Sequence, residues 1–307
     1  MQLNALRYFT MVGATGSFAG TARHFQVPAS SVSRFISALE REVGQQLFYR
    51  NTRSVRLTEA GERYYLQIRE VLDALDLATE QAGGKDAGVR GLVRINAPVA
   101  LGRLHISEMV NQLQATYPDL SVELTLTDAF IDPVQEGIDI TVRIGTLSDS
   151  GLIARRVGVH KNLLCASPAY LRKHGKPKTP QDLEGHSCLV YKGHSGAQRW
   201  YFRRDQGDKP VVFQPEGALR SNNAEVLVAA ALAGRGLVLF PTWIFERDSF
   251  RNRKLVKLLP DWVGTVDAVP PEIHLVSPEN RLRSHKVRTV LDFILAKIGS
   301  PPYWDAI

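Results

Sequence analysis

Cysteine is scarce in this chain: only Cys165 and Cys188 occur among 307 residues. One pair cannot build a secreted-type disulfide framework, and both thiols sit in apolar runs, LLCAS and HSCLVY, with no adjacent lysine or arginine to lower a thiol pKa. They read as buried thiols of a reducing compartment. Long apolar runs are missing as well. Nowhere do eighteen uninterrupted apolar residues occur, and the opening MQLNALRYFTMVGATGSF lacks a basic leader ahead of an apolar stretch. A cytoplasmic protein without a membrane partner is therefore expected. There is also no nucleophile elbow, no phosphate loop, no dinucleotide glycine pattern and no His or Cys at metal-ligand spacing. His160, His174, His186, His194, His274 and His285 each read as a satisfied surface or core histidine. Neither catalysis nor a cofactor or metal is expected.

Lysine is absent before Lys85. The basic residues up to Tyr65 are eight arginines facing four glutamates, so +4 of the chain's net +7 lies in that short stretch and is all guanidinium. Guanidinium is the group suited to bidentate contacts with phosphate and guanine. A composition that is 44% apolar and 22% charged is otherwise that of an ordinary globular chain with room for two or three cores.

What is present is organised around Ser17–Gly44, SFAGTARHFQVPASSVSRFISALEREVG. Ser17 caps a helix running to Phe25, Gln26-Val27-Pro28 turns, and a second helix from Ala29 to Glu42 places Val32, Ile36 and Leu39 on one face. This is the pattern of a helix-turn-helix, with a plain surface hairpin of helices as the bland alternative. The opposite face of the second helix carries Ser30, Ser33 and Arg34 near its start, the end that enters a major groove in such motifs. An earlier helix over Leu3 to Val12 roofs the pair. After Gly44, Leu47-Phe48-Tyr49 and Arg50 to Leu57 form a β-ribbon or wing that aims Arg50, Arg53 and Arg56 at phosphates.

From Thr58 a long helix follows, with Tyr65, Ile68, Leu72 and Leu75 spaced three, four, three. Such a seam suits either a dimer contact or packing on the helix's own domain, and the expectation here is dimerisation. Gly83, Gly84 and Gly88 mark a hinge. Beyond Val89 strands and helices alternate. Strands are expected at Leu92–Asn96, Ser121–Thr127, Ile138–Ile144, Leu163–Ala166, Leu237–Phe240 and Ile273–Ser277, with helices at Leu101–Tyr117, Pro168–His174, Asn222–Ala233 and Ser284–Ile298. Alternation of this kind implies parallel sheets.

The segments LRYFTMVGATGSFAGTARHF, VPASSVSRFISALEREVGQQLF and YRNTRSVRLTEAG resemble, without a gap, the DNA-binding domain of LysR-type transcriptional regulators. GLVRINAP, YPDLSVEL, IDITVRIG, LLCASPAYLRKHG, LVAAALAGRGLVLFP and LVSPENR resemble that family's effector-binding domain. The resemblance spans nearly the whole chain. It implies an α/β protein made of a winged helix-turn-helix domain (1–57), a linker helix with hinge (58–88) and a two-lobed, periplasmic-binding-protein-like effector domain (89–307). Its lobes would be 89–161 plus 268–307, and 162–267. By the resemblance, Ser30, Ser31, Ser33 and Arg34 face the groove, while Ala29 stands where the family often carries a base-reading glutamine. A homodimer or homotetramer on double-stranded DNA is implied, answering to a small-molecule effector.

In open parallel sheets ligands sit beyond strand carboxyl ends, where helix N-termini present free amides. Ala97-Pro98-Val99-Ala100, Arg143-Ile144-Gly145 and Asn222-Asn223 qualify, and the two-lobed arrangement would turn all three toward one cleft. Asn222 and Asn223 also suit simple helix capping. Arg143 favours an anionic effector, unless it pairs with Asp139 or Asp128. An α/β enzyme, or a thiol-based sensor, carrying an added DNA-binding domain is the alternative function.

Overall fold

A computed structural model describes residues 2–50, 55–83, 88–145, 147, 151–193, 196–205 and 207–306. Helix α1 (Leu3–Thr15) lies over α2 (Phe18–His24) and α3 (Ala29–Val43). Ser17 Oγ accepts from the Gly20 N–H at 2.9 Å and so starts α2. The turn before α3 is closed by the Val27 N–H donating to the Ala22 carbonyl at 3.0 Å, with Gln26 at φ 54°. Val32, Ile36 and Leu39 of α3 are buried with Phe9 and Val12 of α1. Strands β1 (Phe48–Arg50) and β2 (Val55–Leu57) pair antiparallel as the wing.

Helix α4 (Glu59–Gly83) then runs out of this domain. Here one expectation is corrected. Tyr65, Ile68 and Leu72 do not form an intermolecular seam, because they are at most 8% exposed in the domain's own core, and Phe9 meets Tyr65 with ring centroids 6.2 Å apart. A three-four-three stripe buries against whichever apolar face comes first, and α1 supplies one within the chain. Leu75 alone of the four stays exposed. Among the described side chains from Val71 onward, the apolar residues left exposed on this helix are Val71, Ala74, Leu75 and Ala78. The expected hinge falls largely on 84–87, outside the described residues.

The next sheet has five strands in the order β4-β3-β5-β16-β6: β3 (Gly91–Ala97), β4 (Leu120–Leu126), β5 (Ile140–Ile144), β6 (Leu152–Val159) and β16 (Glu272–Pro278). Its β3 pairs are parallel, whereas the late-arriving β16 runs antiparallel to both β5 and β6. Helix α5 (Val99–Leu101) passes through a π-helical turn (Gly102–Ile106) into α6 (Ser107–Thr116), so the crossover begins earlier than Leu101.

Between β6 and β16 the chain builds β7 (Asn162–Ala166), α7 (Pro168–His174), β8 (Val190–Gly193), β9 (Gly196–Ala197), β10 (Trp200–Arg203), β11 (Val211–Phe213), β12 (Arg220–Ser221), α8 (Ala224–Leu232), β13 (Val238–Pro241), α9 (Arg247–Arg251), β14 (Val256–Lys257) and β15 (Val263–Thr265). These strands are not mainly parallel. β13 and β14 both flank β7 antiparallel, and β10 lies antiparallel between β11 and β15. The expected parallel sheet thus fails here, and the register Asn162↔Pro241 sets the start of β7 beside the end of β13. Helix α10 (His285–Ile298) closes the first layer, with Val287, Val290, Leu291 and Ile294 buried.

Linker helix and effector module are joined by buried charge. Arg69 of α4 donates to Asp139 Oδ1 at 2.7 Å and to the Gly137 carbonyl. Arg281 and Lys286 both engage Asp73 of α4, Lys286 at 3.0 Å.

Candidate nucleic-acid interface and ligand cleft

Ser30 and Arg34 are exposed at the start of α3, with Ser31 and Ser33 half-buried beside them. Ala29, the first residue of the helix, is exposed and offers no hydrogen bond. Arg56 stands exposed on β2 opposite Tyr49, itself 65% exposed. Tyr49 is a phenol on the same ribbon that sequence reasoning passed over as part of an apolar run. Arg53 lies outside the described residues, as does the side chain of Arg50. Serines and a guanidinium at the start of α3, with that helix's reverse face in the core, and a guanidinium and a phenol exposed on the wing are groups suited to phosphates and base edges.

A cavity of about 370 Å³ lies between the carboxyl ends of β3 and β5 on one side and β7, β13 and α8 on the other. Of the sequence-derived effector residues, Pro98, Val99, Ala100, Arg143, Ile144, Asn222 and Asn223 line it. Ala97 and Gly145 do not. Ala97 is wholly buried in the sheet, where its carbonyl accepts from the Thr127 N–H at 3.1 Å. Gly145, at φ 122°, turns out of the strand and donates its N–H to the Glu272 carbonyl at 2.9 Å. Asn223 does cap: its Oδ1 accepts from the Val226 N–H at 3.1 Å, so α8 begins after the asparagine pair.

Arg143 pairs with neither candidate carboxylate. Asp139 is held by Arg69 and Arg281, Asp128 Oδ1 accepts from the Val99 N–H at 3.0 Å, and the Arg143 guanidinium lies 4.1 Å over the Phe130 ring. Asp128 also acts on Tyr191, whose phenol is raised in pKa first by burial and then by this carboxylate.

The deeper wall holds residues that the sequence did not single out. Thr141 Oγ1, both ring nitrogens of His160, both amide atoms of Asn162 and the Trp243 indole N–H are buried, with no hydrogen-bond partner among the described residues. All four side chains line the cavity. His160 was read as satisfied; instead it stacks on Trp243 at 5.8 Å and 18°, and burial, only partly offset by Asp305, pulls its pKa down to about 4. It is neutral at physiological pH. Thr141 was within reach of sequence reasoning, since it sits two residues before Arg143 on the same face of β5. Asn162 was not: it opens its strand and reaches the cleft because that strand runs antiparallel to β13.

Both thiols are buried. Burial raises Cys188 to about 12 and Cys165 further still. Among the described residues no His/Cys/Asp/Glu group of metal-binding size occurs, and no helix is long and apolar enough to cross a membrane.

A winged helix-turn-helix joined by a long helix to a two-lobed cleft module defines a DNA-binding regulator with an effector site. Known proteins agree. Residues 3–62 match the bacterial regulatory helix-turn-helix proteins of the lysR family, and residues 86–299 match the LysR substrate binding domain. A probable HTH-type transcriptional regulator of Klebsiella pneumoniae, LtrA, is 31% identical over 297 residues, covering 96% of this chain and 95% of that one. The HTH-type transcriptional activator TtdR of Escherichia coli (strain UTI89 / UPEC) is 31% identical over 292 residues, 94% and 92% of the two chains. The full-length structure of the Vibrio cholerae virulence activator AphB superposes with a TM-score of 0.59 at 30% identity, covering 96% of this chain and 99% of that one. The chain belongs to the LysR family of transcriptional regulators, whose members bind DNA and small-molecule effectors and form oligomers.

Proposed function

We propose that this regulator binds double-stranded DNA in the cytoplasm as a homodimer or homotetramer, with residues 1–57 reading DNA, 58–88 linking and 89–307 sensing. Ser30, Ser31, Ser33 and Arg34 approach base edges, and Arg50, Arg53 and Arg56 hold phosphates. A small, anionic effector in the cleft modulates binding. The observation that carries the DNA reading is the exposure of Ser30 and Arg34 at the start of α3, a helix whose reverse face of Val32, Ile36 and Leu39 is fully buried, together with the exposed Arg56 of the wing.

A mobility-shift series in rising salt tests it. With three arginines per protomer on phosphates in a dimer, affinity falls about a thousand-fold between about 50 and 200 mM salt. Arg34→Ala changes sequence preference, whereas Arg56→Ala weakens binding to every sequence alike and flattens the salt slope. Binding indifferent to salt, or untouched by Arg34→Ala and Arg56→Ala combined, contradicts the assignment.

The dimer contact falls on the outward face of α4, because Tyr65, Ile68 and Leu72 are already spent inside the domain. Val71, Ala74, Leu75 and Ala78 recur at helical spacing there, with Val71 55% exposed. Val71→Glu places carboxylates in such a contact, and desolvating an unpaired charge costs several kcal/mol. We expect the Val71→Glu dimer to associate about a hundred-fold more weakly than the wild type in sedimentation. A Val71→Glu chain that stays dimeric at micromolar concentration sinks this face.

A further inference from the structure

The cleft as an effector site leaves open what it takes. Its polarity is arranged along one direction. At the deep end stand the hydroxyl of Thr141, the imidazole of His160, the amide of Asn162 and the indole N–H of Trp243, all without partners among the described residues. Toward the opening, on the same strand as Thr141, the half-buried Arg143 rests on the exposed ring of Phe130.

We propose that the cleft binds a small hydroxylated carboxylate, with its hydroxyl groups turned inward to Thr141, His160, Asn162 and Trp243 and its carboxylate outward to Arg143. This rests on the cleft being the effector site.

Each part follows from chemistry on the wall. An apolar or plain aromatic guest would drive water from four buried polar side chains and give none of them a partner, which is unfavourable at every one. Trp243 can only donate, while Asn162, Thr141 and a neutral His160 each both donate and accept. Hydroxyl groups match that set because they too do both, and four separate side chains call for more than one hydroxyl. Burial keeps His160 uncharged, so the deep end holds no cation to receive a carboxylate. Among the described residues Arg143 is the cation that lines the cavity, and its planar fork suits a carboxylate. Cationic guests are disfavoured by the same guanidinium. Asp128 at the rim, committed to the Val99 N–H, opposes a second negative charge. The volume of about 370 Å³ lies at the small end of ligand sites.

Calorimetric titration of the full chain with gluconate, sorbitol and hexanoate tests this, since the three share a six-carbon chain. Gluconate keeps both hydroxyls and carboxylate, sorbitol loses the charge and hexanoate loses the hydroxyls. Gluconate is expected to bind at least about ten-fold more tightly than either. Asn162→Ala weakens gluconate about ten-fold and leaves hexanoate unchanged, while Arg143→Met brings gluconate down to the level of sorbitol. Melting curves of both variants confirm that they fold. Sorbitol or hexanoate binding as tightly as gluconate, or no gluconate binding at millimolar concentration, overturns the ligand class. A third variant, Ala100→Trp, fills the cavity and removes all binding if the cleft is the site. Binding that survives it overturns the cleft itself, whatever the order of the probes.

Discussion

Asp139→Ala destabilises the effector module by about 3–5 kcal/mol and frees the linker helix from it. The side chain is 2% exposed, and its carboxylate has three partners: Arg69 Nη2 at 2.7 Å, Arg281 Nε at 3.6 Å and the Arg94 backbone N–H at 2.8 Å. Arg69 and Arg281 are themselves only 8% and 7% exposed at the side chain, so water cannot replace what is lost. The Arg94 amide loses its acceptor, and the two guanidiniums keep only their other partners, the Gly137 carbonyl for Arg69 and Asp73 for Arg281. For a module of this size such a loss lowers the melting temperature by about 10 °C. Calorimetry checks this, and hydrogen exchange should show α4 losing protection around Arg69. Truncating Arg69 and Arg281 to Met alongside Asp139→Leu recovers most of the loss, because the penalty comes from unpaired buried charge rather than from a missing contact. A single variant within about 1 kcal/mol of wild type would show that the guanidiniums find solvent, and the buried network would have no structural weight.

The same residue lies where the two functions approach each other. Asp139 precedes β5, and that strand carries Thr141 and Arg143 into the cleft. One end of the strand touches the cavity, and the residue before its other end holds the linker helix.

How much of this could be read beforehand depended on whether the governing interactions were local. The helix-turn-helix was legible because its causes lie within a few residues: Ser17 capping α2, the turn before Pro28, and Val32, Ile36 and Leu39 on one face of α3. The fold class and the family resemblance followed from such segments. What failed was decided by partners distant in sequence. Tyr65, Ile68 and Leu72 have a spacing equally good for two fates, and only the position of α1 selects the core. β7 and β13 look like strands of a parallel sheet, but pairing direction is set by connections that no strand encodes. The cleft was half legible for the same reason. Strand ends at Pro98 and Arg143 follow the rule for parallel sheets, whereas His160, Asn162 and Trp243 reach the cavity by an antiparallel register and a chain crossing. The fates of Ala97 and Gly145 were a matter of one residue in phase: each adjoins lining residues, and each is turned into the sheet or away from it.

Gly61→Ala weakens DNA binding although the residue lies outside the Ser30–Arg34 and Arg56 positions assigned to DNA. In an exposed helix this exchange gains up to about 1 kcal/mol, because alanine is the better helix former. Here the sign reverses. A Cβ at position 61 would stand 2.1 Å from the Leu47 carbonyl oxygen and 3.0 Å from its carbon, which are backbone atoms that cannot rotate away. The carbonyl is also fixed from several sides. It accepts from the Thr58 N–H at 3.0 Å, Thr58 Oγ1 donates to the Gln46 carbonyl at 2.7 Å, and Thr58 Oγ1 in turn accepts from the Gly61 N–H at 2.9 Å. Moving Leu47 would break this cap and also the bond from its own N–H to Glu40 Oε1 at 3.0 Å, which ties the wing to α3. The methyl must therefore separate α4 from the segment that leads into β1, at the upper end of the about 1–3 kcal/mol typical of overpacking or beyond it. Since this junction holds the wing that carries Arg56 against α3 through Glu40, affinity for every DNA sequence falls together, and circular dichroism shows the N-terminal domain melting earlier. The effector module, which does not include this contact, keeps its own transition. Improved stability in the Gly61→Ala chain would mean that helix propensity outweighs the clash, and that α4 and the wing are not in the close contact that holds the reading head in place.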